Sequence, residues 1–281
     1  MNAKLFQLWC LISVAILLLF LSAVIGFIII KGAPTLSLSL YFGDTPMLEA
    51  MLGLTPIWDG IWPACIGTIS VVLGAISLAI VPGIATGIWL TYAKASRFKQ
   101  ALELSVVLLA GVPSILMGLF GFTLIVLLRN TIAPSANSSL LLSSLCLAML
   151  IIPYLSVTTR TALQALPRSL STCVSALGMT PWQQQRYVLL PQAKKGIVSG
   201  VMLSIGRAAE DTAVIMLTGA VANAGLPGGI FERYEALPFT IFYFSSQYQS
   251  QTELNMAFGA ALSLLCFTTI IFSSASAMAR R

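Results

Sequence analysis

Charge is what this sequence has least of. Asp, Glu, Lys and Arg make up 9% of its 281 residues, where a soluble globular domain carries about a quarter. That deficit excludes an ordinary water-soluble enzyme, a charged disordered chain and a nucleic-acid binder. Histidine is missing altogether, so imidazole acid–base catalysis and histidine metal sites are excluded with it. The five cysteines, Cys10, Cys65, Cys146, Cys173 and Cys266, make no C-x-x-C pair, and four lie in apolar runs. An odd, scattered set of this kind is expected to fill space in helices, not to build disulfides or hold a metal. No G-x-x-x-x-G-K-[ST] segment is present, so the chain has no such loop to cradle nucleotide phosphates. With no nucleophile–base pair visible either, it is expected to bind no cofactor and to carry no catalytic residue.

In place of charge stand long apolar runs. Hydrophobic residues make up 58% of the chain and the mean hydropathy is +0.94. A spanning helix needs about 20 mostly apolar residues. Six runs qualify: Leu5–Ile30, Ile61–Tyr92, Leu104–Leu128, Leu140–Val157, Gly196–Val221 and Leu254–Met278. The first is too long for a signal-peptide core and is followed by no A-x-A pattern, so it is expected to be a retained anchor. The fold class this predicts is an all-α polytopic membrane protein with six transmembrane helices and both termini on one side. Eleven of the fifteen cations fall on one side: Lys4, Lys94, Arg97, Lys99, Arg160, Arg168, Arg186, Lys194, Lys195, Arg280 and Arg281. The other side holds Lys31, Arg129 and Arg233 with six acidic residues, Asp44, Glu49, Asp59, Glu232, Glu235 and Glu253. Basic loops stay in the cytoplasm, so both termini are expected there. Topology therefore accounts for the net charge of +6 without a nucleic-acid partner.

Residues 1–60 read as a first transmembrane helix with an outer segment, and 61–281 as a domain of five further helices. Two outer segments, 31–60 and 222–253, carry prolines and aromatics and are expected to lie as partly structured lids at the membrane interface. The third run contains Gly111, Pro113, Gly118 and Gly121, which predicts a closely packed helix kinked at Pro113.

The loop at 158–195 has its own folding signals. Pro167 can open a helix. Leu170, Cys173, Val174 and Leu177 then recur at i, i+3, i+4 and i+7, one apolar helical face. Gly178 stands where a helix stop favours positive φ. Thr180, Pro181 and Gln183 restart the chain as a capping box, and the second helix is expected to run through Tyr187 and Val188 to Pro191. An inert structured loop and a docking element both fit this pattern. A DNA-binding helix–turn–helix does not, because the unit is tethered at both ends to spans. Its apolar face and exposed Trp182 and Tyr187 favour insertion into a partner's cleft.

The fifth run contains Arg207, Glu210 and Asp211. Such charges cost about 2.5–3.5 kcal/mol each at mid-membrane on insertion scales, and they usually face an aqueous path. Glu210 and Asp211 lie at i+3 and i+4 from Arg207, so both are expected to touch its guanidinium. A buried ion cluster bracing helices and a substrate or gating site both fit. Arg suits an oxyanion, since its planar fork matches two phosphate oxygens and its charge does not titrate. Thr212, Ser204 and Thr218 are further hydroxyl candidates.

Several of these segments resemble a known family. Thr172, Ala176-Leu177-Gly178, nine residues, then Val188-Leu189-Leu190-Pro191 resembles the EAA loop of ABC importer permeases, G-x9-I-x-L-P. Thr172, Cys173 and Val174 stand where Glu-Ala-Ala is usual. Gly111-Val112-Pro113-Ser114-Ile115 with Gly118-Leu119-Phe120-Gly121, Arg160-Thr161-Ala162-Leu163 with Pro167, Gly196-Ile197 with Gly200, and Gly206-Arg207-Ala208 resemble phosphate ABC transporter permeases. Leu237-Pro238-Phe239-Thr240-Ile241 and the short N-terminus resemble the PstA type more than the PstC type. That family reads R-A-x-G-E-T where this chain has Arg207-Ala208-Ala209-Glu210-Asp211-Thr212: Asp211 stands at the Glu and Glu210 replaces the Gly. The resemblance implies a pore subunit translocating inorganic phosphate across a bacterial inner membrane. It also implies a second permease subunit, two ATPase subunits that use ATP and dock under the loop, and a periplasmic phosphate-binding protein. Another oxyanion, such as sulfate, molybdate or tungstate, or a channel or membrane enzyme without an ATPase, is the alternative. Membrane lipid is an implied partner in every case.

Overall fold

The computed structural model describes residues 3–280. Met1, Asn2 and Arg281, the last cation of the basic side, lie outside the described residues. The described residues are predominantly helical, and among them the only β pairing is one isolated bridge, Ala220 to Tyr234. Helix α1 (Ala3–Gly32) leads through the short α2 (Leu38–Phe42) and α3 (Met47–Leu52) to α4 (Trp62–Tyr92). Then come α5 (Arg97–Ala110), α6 (Ser114–Thr131) and α7 (Leu140–Gln164). The small α8 (Arg168–Ala176) and α9 (Pro181–Gln184) precede α10 (Leu190–Ala209), α11 (Thr212–Thr218), α12 (Leu237–Gln247) and α13 (Gln251–Arg280).

Among the described residues five helices are long and apolar enough to cross a membrane: those at Lys4–Thr35, Trp62–Tyr92, Ser114–Thr131, Leu140–Gln164 and Gln251–Ser274. The third apolar run does not form one kinked helix. Pro113 lacks an N–H and disfavours helical backbone before it, so the chain breaks at Gly111–Pro113 and α6 starts afresh. The fifth run also breaks, into α10 and α11, which together complete the bundle.

At the centre, α4 and α7 form the most extensive helix pair. They run parallel in a register of 73 residues: Ser144 Oγ donates to the Val71 carbonyl at 3.4 Å and Ser156 Oγ to the Gly83 carbonyl at 3.1 Å. Val71, Ala75 and Ala79 of α4 are fully buried against Leu147, Ile151 and Leu155 of α7. In lipid, helices gain little by hiding apolar surface from one another; close packing and interhelical hydrogen bonds hold them. Small residues on α4 and hydroxyls on α7 supply both. Helix α10 packs on α7, α13 and α4, and α11 on α6. Helix α1 lies at the periphery, touching α13 through Phe27 and Phe258 in an edge-to-face pair. Its leucines and phenylalanines are exposed throughout, a surface only a hydrocarbon environment satisfies.

The segment 219–236 folds over the start of α7. The N–H groups of Ser139, Leu140 and Leu141 donate to the carbonyls of Thr218, Glu232 and Ile230 at 3.0, 2.9 and 2.8 Å. Unpaired donors at a helix start are thereby satisfied by backbone, and Tyr234 is fully buried beneath them.

Candidate functional site

Arg207 occupies the last turn of α10. The helix stops two residues later because Asp211 competes for backbone hydrogen bonds. Asp211 is the N-cap of α11, and its Oδ1 accepts the Val214 N–H at 2.9 Å. Its second oxygen lies 3.4 Å from Arg207 Nη2 and has no hydrogen-bond partner among the described residues. The Asp211 side chain is 1% exposed, whereas that of Arg207 is 38% exposed. The carboxylate is thus fixed inside the protein and the guanidinium leans out from it with donors to spare. A broken helix is tolerated at membrane depth only where it is buried in protein or lines a water-filled path, and half-helix ends at such breaks are used for ions.

The break changes the role of Glu210. It is exposed, ends α10 with its N–H on the Gly206 carbonyl, and joins no ion pair among the described residues. The spacing expected both carboxylates to clasp Arg207; the structure brings Asp211 there and leaves Glu210 outside. Thr212 opens α11 half-buried. Ser204 and Thr218 are buried and bond the carbonyls of Gly200 and Val214 at 2.9 and 2.6 Å; the Ser204 hydroxyl is thus committed within its own helix, and that of Thr218 also meets Ser143 Oγ of α7 at 2.8 Å. Helix α6 supports the break. A Cβ on Gly118 would stand 2.9 Å from the Ala213 carbonyl, and one on Gly121 2.6 Å from Thr218 Cγ2. Bare backbone at these two positions lets α11 sit close against α6.

At the far end of α10 the helix pair α8–α9 has the capping predicted for it. Thr180 Oγ1 accepts the Gln183 N–H and Gln183 Oε1 accepts the Thr180 N–H. Gly178 has φ +72°, as a left-handed stop requires. Gln184 ties the pair together through Ser175 Oγ at 3.2 Å and the Met179 carbonyl at 2.9 Å. The second helix does not end at Pro191. A π-helical turn over Gln185–Leu189 widens the helix, the Leu190 N–H reaches back to the Gln185 carbonyl, and Pro191 sits in the first turn of α10. One continuous rod therefore joins Thr180 to Arg207. Because α7 extends to Gln164 and α10 starts at Leu190, the projecting unit covers 165–189. Val174 is its buried anchor, while Leu177, Trp182 and Tyr187 are 79%, 64% and 63% exposed. Thr172, Ala176 and Gly178 are exposed beside them, and Val188 and Leu190 are half-buried.

Two charged features escaped the sequence. Glu103 of α5 pairs with Arg160 of α7 at 2.6 Å, invisible to spacing because the partners are far apart in the chain. Glu235, counted only as an outer acid, is buried. It accepts the Gly225 N–H at 2.9 Å, and burial pushes its carboxyl up to about 7 against the pull of that N–H.

A charge pair seated at a helix break among apolar spans is a device of multi-pass membrane transport proteins. Comparison with known proteins narrows the class: residues 83–281 match the binding-protein-dependent transport system inner membrane component family. The chain belongs to that family and is a multi-pass protein of the inner membrane. Over 265 residues it is 32% identical to the phosphate transport system permease protein PstA of Haemophilus influenzae, covering 93% of this chain and 89% of that one. It is 30% identical over 199 residues to the phosphate transport system permease protein PstC of Mesorhizobium japonicum, covering 64% and 58%. A bacterial ABC transporter involved in import of the acidic polysaccharide alginate superposes with a TM-score of 0.62 at 15% identity, covering 98% of this chain and 99% of that one. That likeness establishes the fold, that of type I ABC importer permeases.

Proposed function

We propose that this chain is a membrane-spanning pore subunit that carries inorganic phosphate through an ATP-driven importer. The observation that carries the reading is the Arg207 guanidinium, 38% exposed and backed by a carboxylate that is 1% exposed. Asp211 balances the charge while the path is empty, and at 3.4 Å it holds the fork loosely enough to be shared with a passing anion. Two parallel N–H donors match two phosphate oxygens. Thr212 adds a hydroxyl next to the break. The relatives named for phosphate transport support the choice of anion.

The exposed Leu177, Trp182 and Tyr187 form the surface for a cytoplasmic ATPase, with Gly178 as the turn that presents them. Two such ATPases, a second permease subunit and a periplasmic phosphate-binding protein complete the importer, and ATP hydrolysis belongs to the ATPases. Both termini are cytoplasmic in this scheme. The rod from Thr180 to Arg207 carries ATPase motion to the break in the membrane. The test is ATP-driven uptake of labelled phosphate by proteoliposomes holding the whole transporter, with sulfate as competitor. Phosphate uptake resistant to sulfate supports the assignment, and equal competition overturns it.

A further inference from the structure

Helices α6 and α7 separate where α6 ends at Thr131 and α7 begins at Leu140. The space between them is a cavity of about 420 Å³. Its walls are apolar, with Leu124 and Leu128 from α6, Leu141, Leu142 and Leu145 from α7, and Phe231 across the top. Its polar residues, Ser135, Asn137 and Ser139, come from the α6–α7 connection and the start of α7. A second, more polar cavity of about 420 Å³ adjoins it, sharing Asn137 and Phe231 and reaching Ser138, Glu232 and Arg233.

Two guanidiniums converge on the connection between the helices. Arg129 donates to the Ala136 carbonyl and to Asn137 Oδ1. Arg233 Nε donates to Ser138 Oγ at 3.2 Å. Both are exposed, both rest on neutral acceptors, and neither joins an ion pair among the described residues. Glu232, the carboxylate lining the second cavity, lies against Gly228. The first cavity is open at its edge, where Leu145 is 42% and Phe231 72% exposed.

We propose that this slot binds one membrane phospholipid, an acyl chain between α6 and α7 and the phosphodiester on Arg129 and Arg233. The two halves select an amphiphile. Apolar walls exclude an inorganic anion, since nothing along them replaces its hydration. Two cations without carboxylate partners complement a phosphodiester, and such pairs of an apolar groove with basic rim residues recognise lipid headgroups. The inference needs only the membrane placement of α6 and α7, not the identity of the transported anion.

The experiment uses the whole transporter in nanodiscs doped with phosphatidylglycerol bearing a photoactivatable acyl chain. Labelled residues are mapped by mass spectrometry. Labelling is expected within 124–128 and 141–145. It should fall about tenfold in the double variant Arg129→Ala, Arg233→Ala, the loss of a charge-assisted contact. It should also vanish from the slot in Leu145→Trp, which fills the cavity from its exposed edge while ATPase activity persists. A diacylglycerol probe with the same chain should label far less. Equal labelling in the double variant, or by diacylglycerol, overturns the proposal. So does competition by inorganic phosphate, which would give the guanidiniums to the transported anion. Absence of label from the slot overturns it too, because a partner subunit then covers the site.

Discussion

Replacing Glu235 is expected to change how the stability of the outer segment depends on pH. Its carboxyl is packed beside Trp58, Ala222, Asn223, Phe239, Thr240, Tyr243 and Phe244, with no Lys or Arg among them. Burial therefore raises it from 4.5 to about 7. In the unfolded chain the same group titrates near 4.5. Below that pH both states hold the proton and stability is complete. Between 4.5 and 7 the unfolded state ionises first, so stability falls as pH rises, and above 7 the loss is complete. At about 1.4 kcal/mol per pH unit, the full loss is on the order of 3 kcal/mol. Glu235→Gln keeps an acceptor for the Gly225 N–H and removes the charge. The variant should match wild type near pH 4.5 and exceed it by on the order of 3 kcal/mol at pH 8. The assay is thermal unfolding of the purified transporter across this pH range, read as the difference between variant and wild type. A difference that stays constant with pH, or a variant weaker than wild type at pH 8, refutes the assignment.

Gly178→Asp meets open space and costs about 1 kcal/mol of local strain at positive φ, so the chain should insert normally yet lose its ATPase on co-purification; undiminished co-purification rejects the docking role. Arg207→Ala should stop phosphate uptake in assembled transporters, and Arg207→Lys, which keeps charge but loses the fork, should retain roughly a tenth to a hundredth of it. Near-normal uptake by a triple apolar replacement of Arg207, Glu210 and Asp211 would leave the cluster a mere brace. At Asp211, Asn preserves the N-cap and Ala removes it at about 1 kcal/mol. Thermal melts should therefore separate the two variants, while anion-release kinetics should be slowed in both by the uncompensated Arg207.

Much was legible in the sequence, because its signals were local. The scarcity of charge and the six apolar runs determined an all-helical membrane chain, since only helices and closed barrels satisfy backbone groups in lipid. The turn between α8 and α9 was legible in the sequence, as a capping box and a left-handed glycine act within four or five positions. Tertiary structure decided how those helices end and meet. A run of apolar residues has no feature that tells a continuous helix from one broken at Asp211, because the break depends on whether the carboxylate turns to Val214 and whether α6 offers Gly118 and Gly121 as a seat. That same choice assigned Asp211 to Arg207 and left Glu210 outside. Pro191 looked like a stop, yet a π-helical turn absorbed it. The Glu103–Arg160 pair and the burial of Glu235 had no sequence signal. An ion pair between distant helices, and a carboxyl raised by desolvation, exist only once packing has brought the chain together and excluded water.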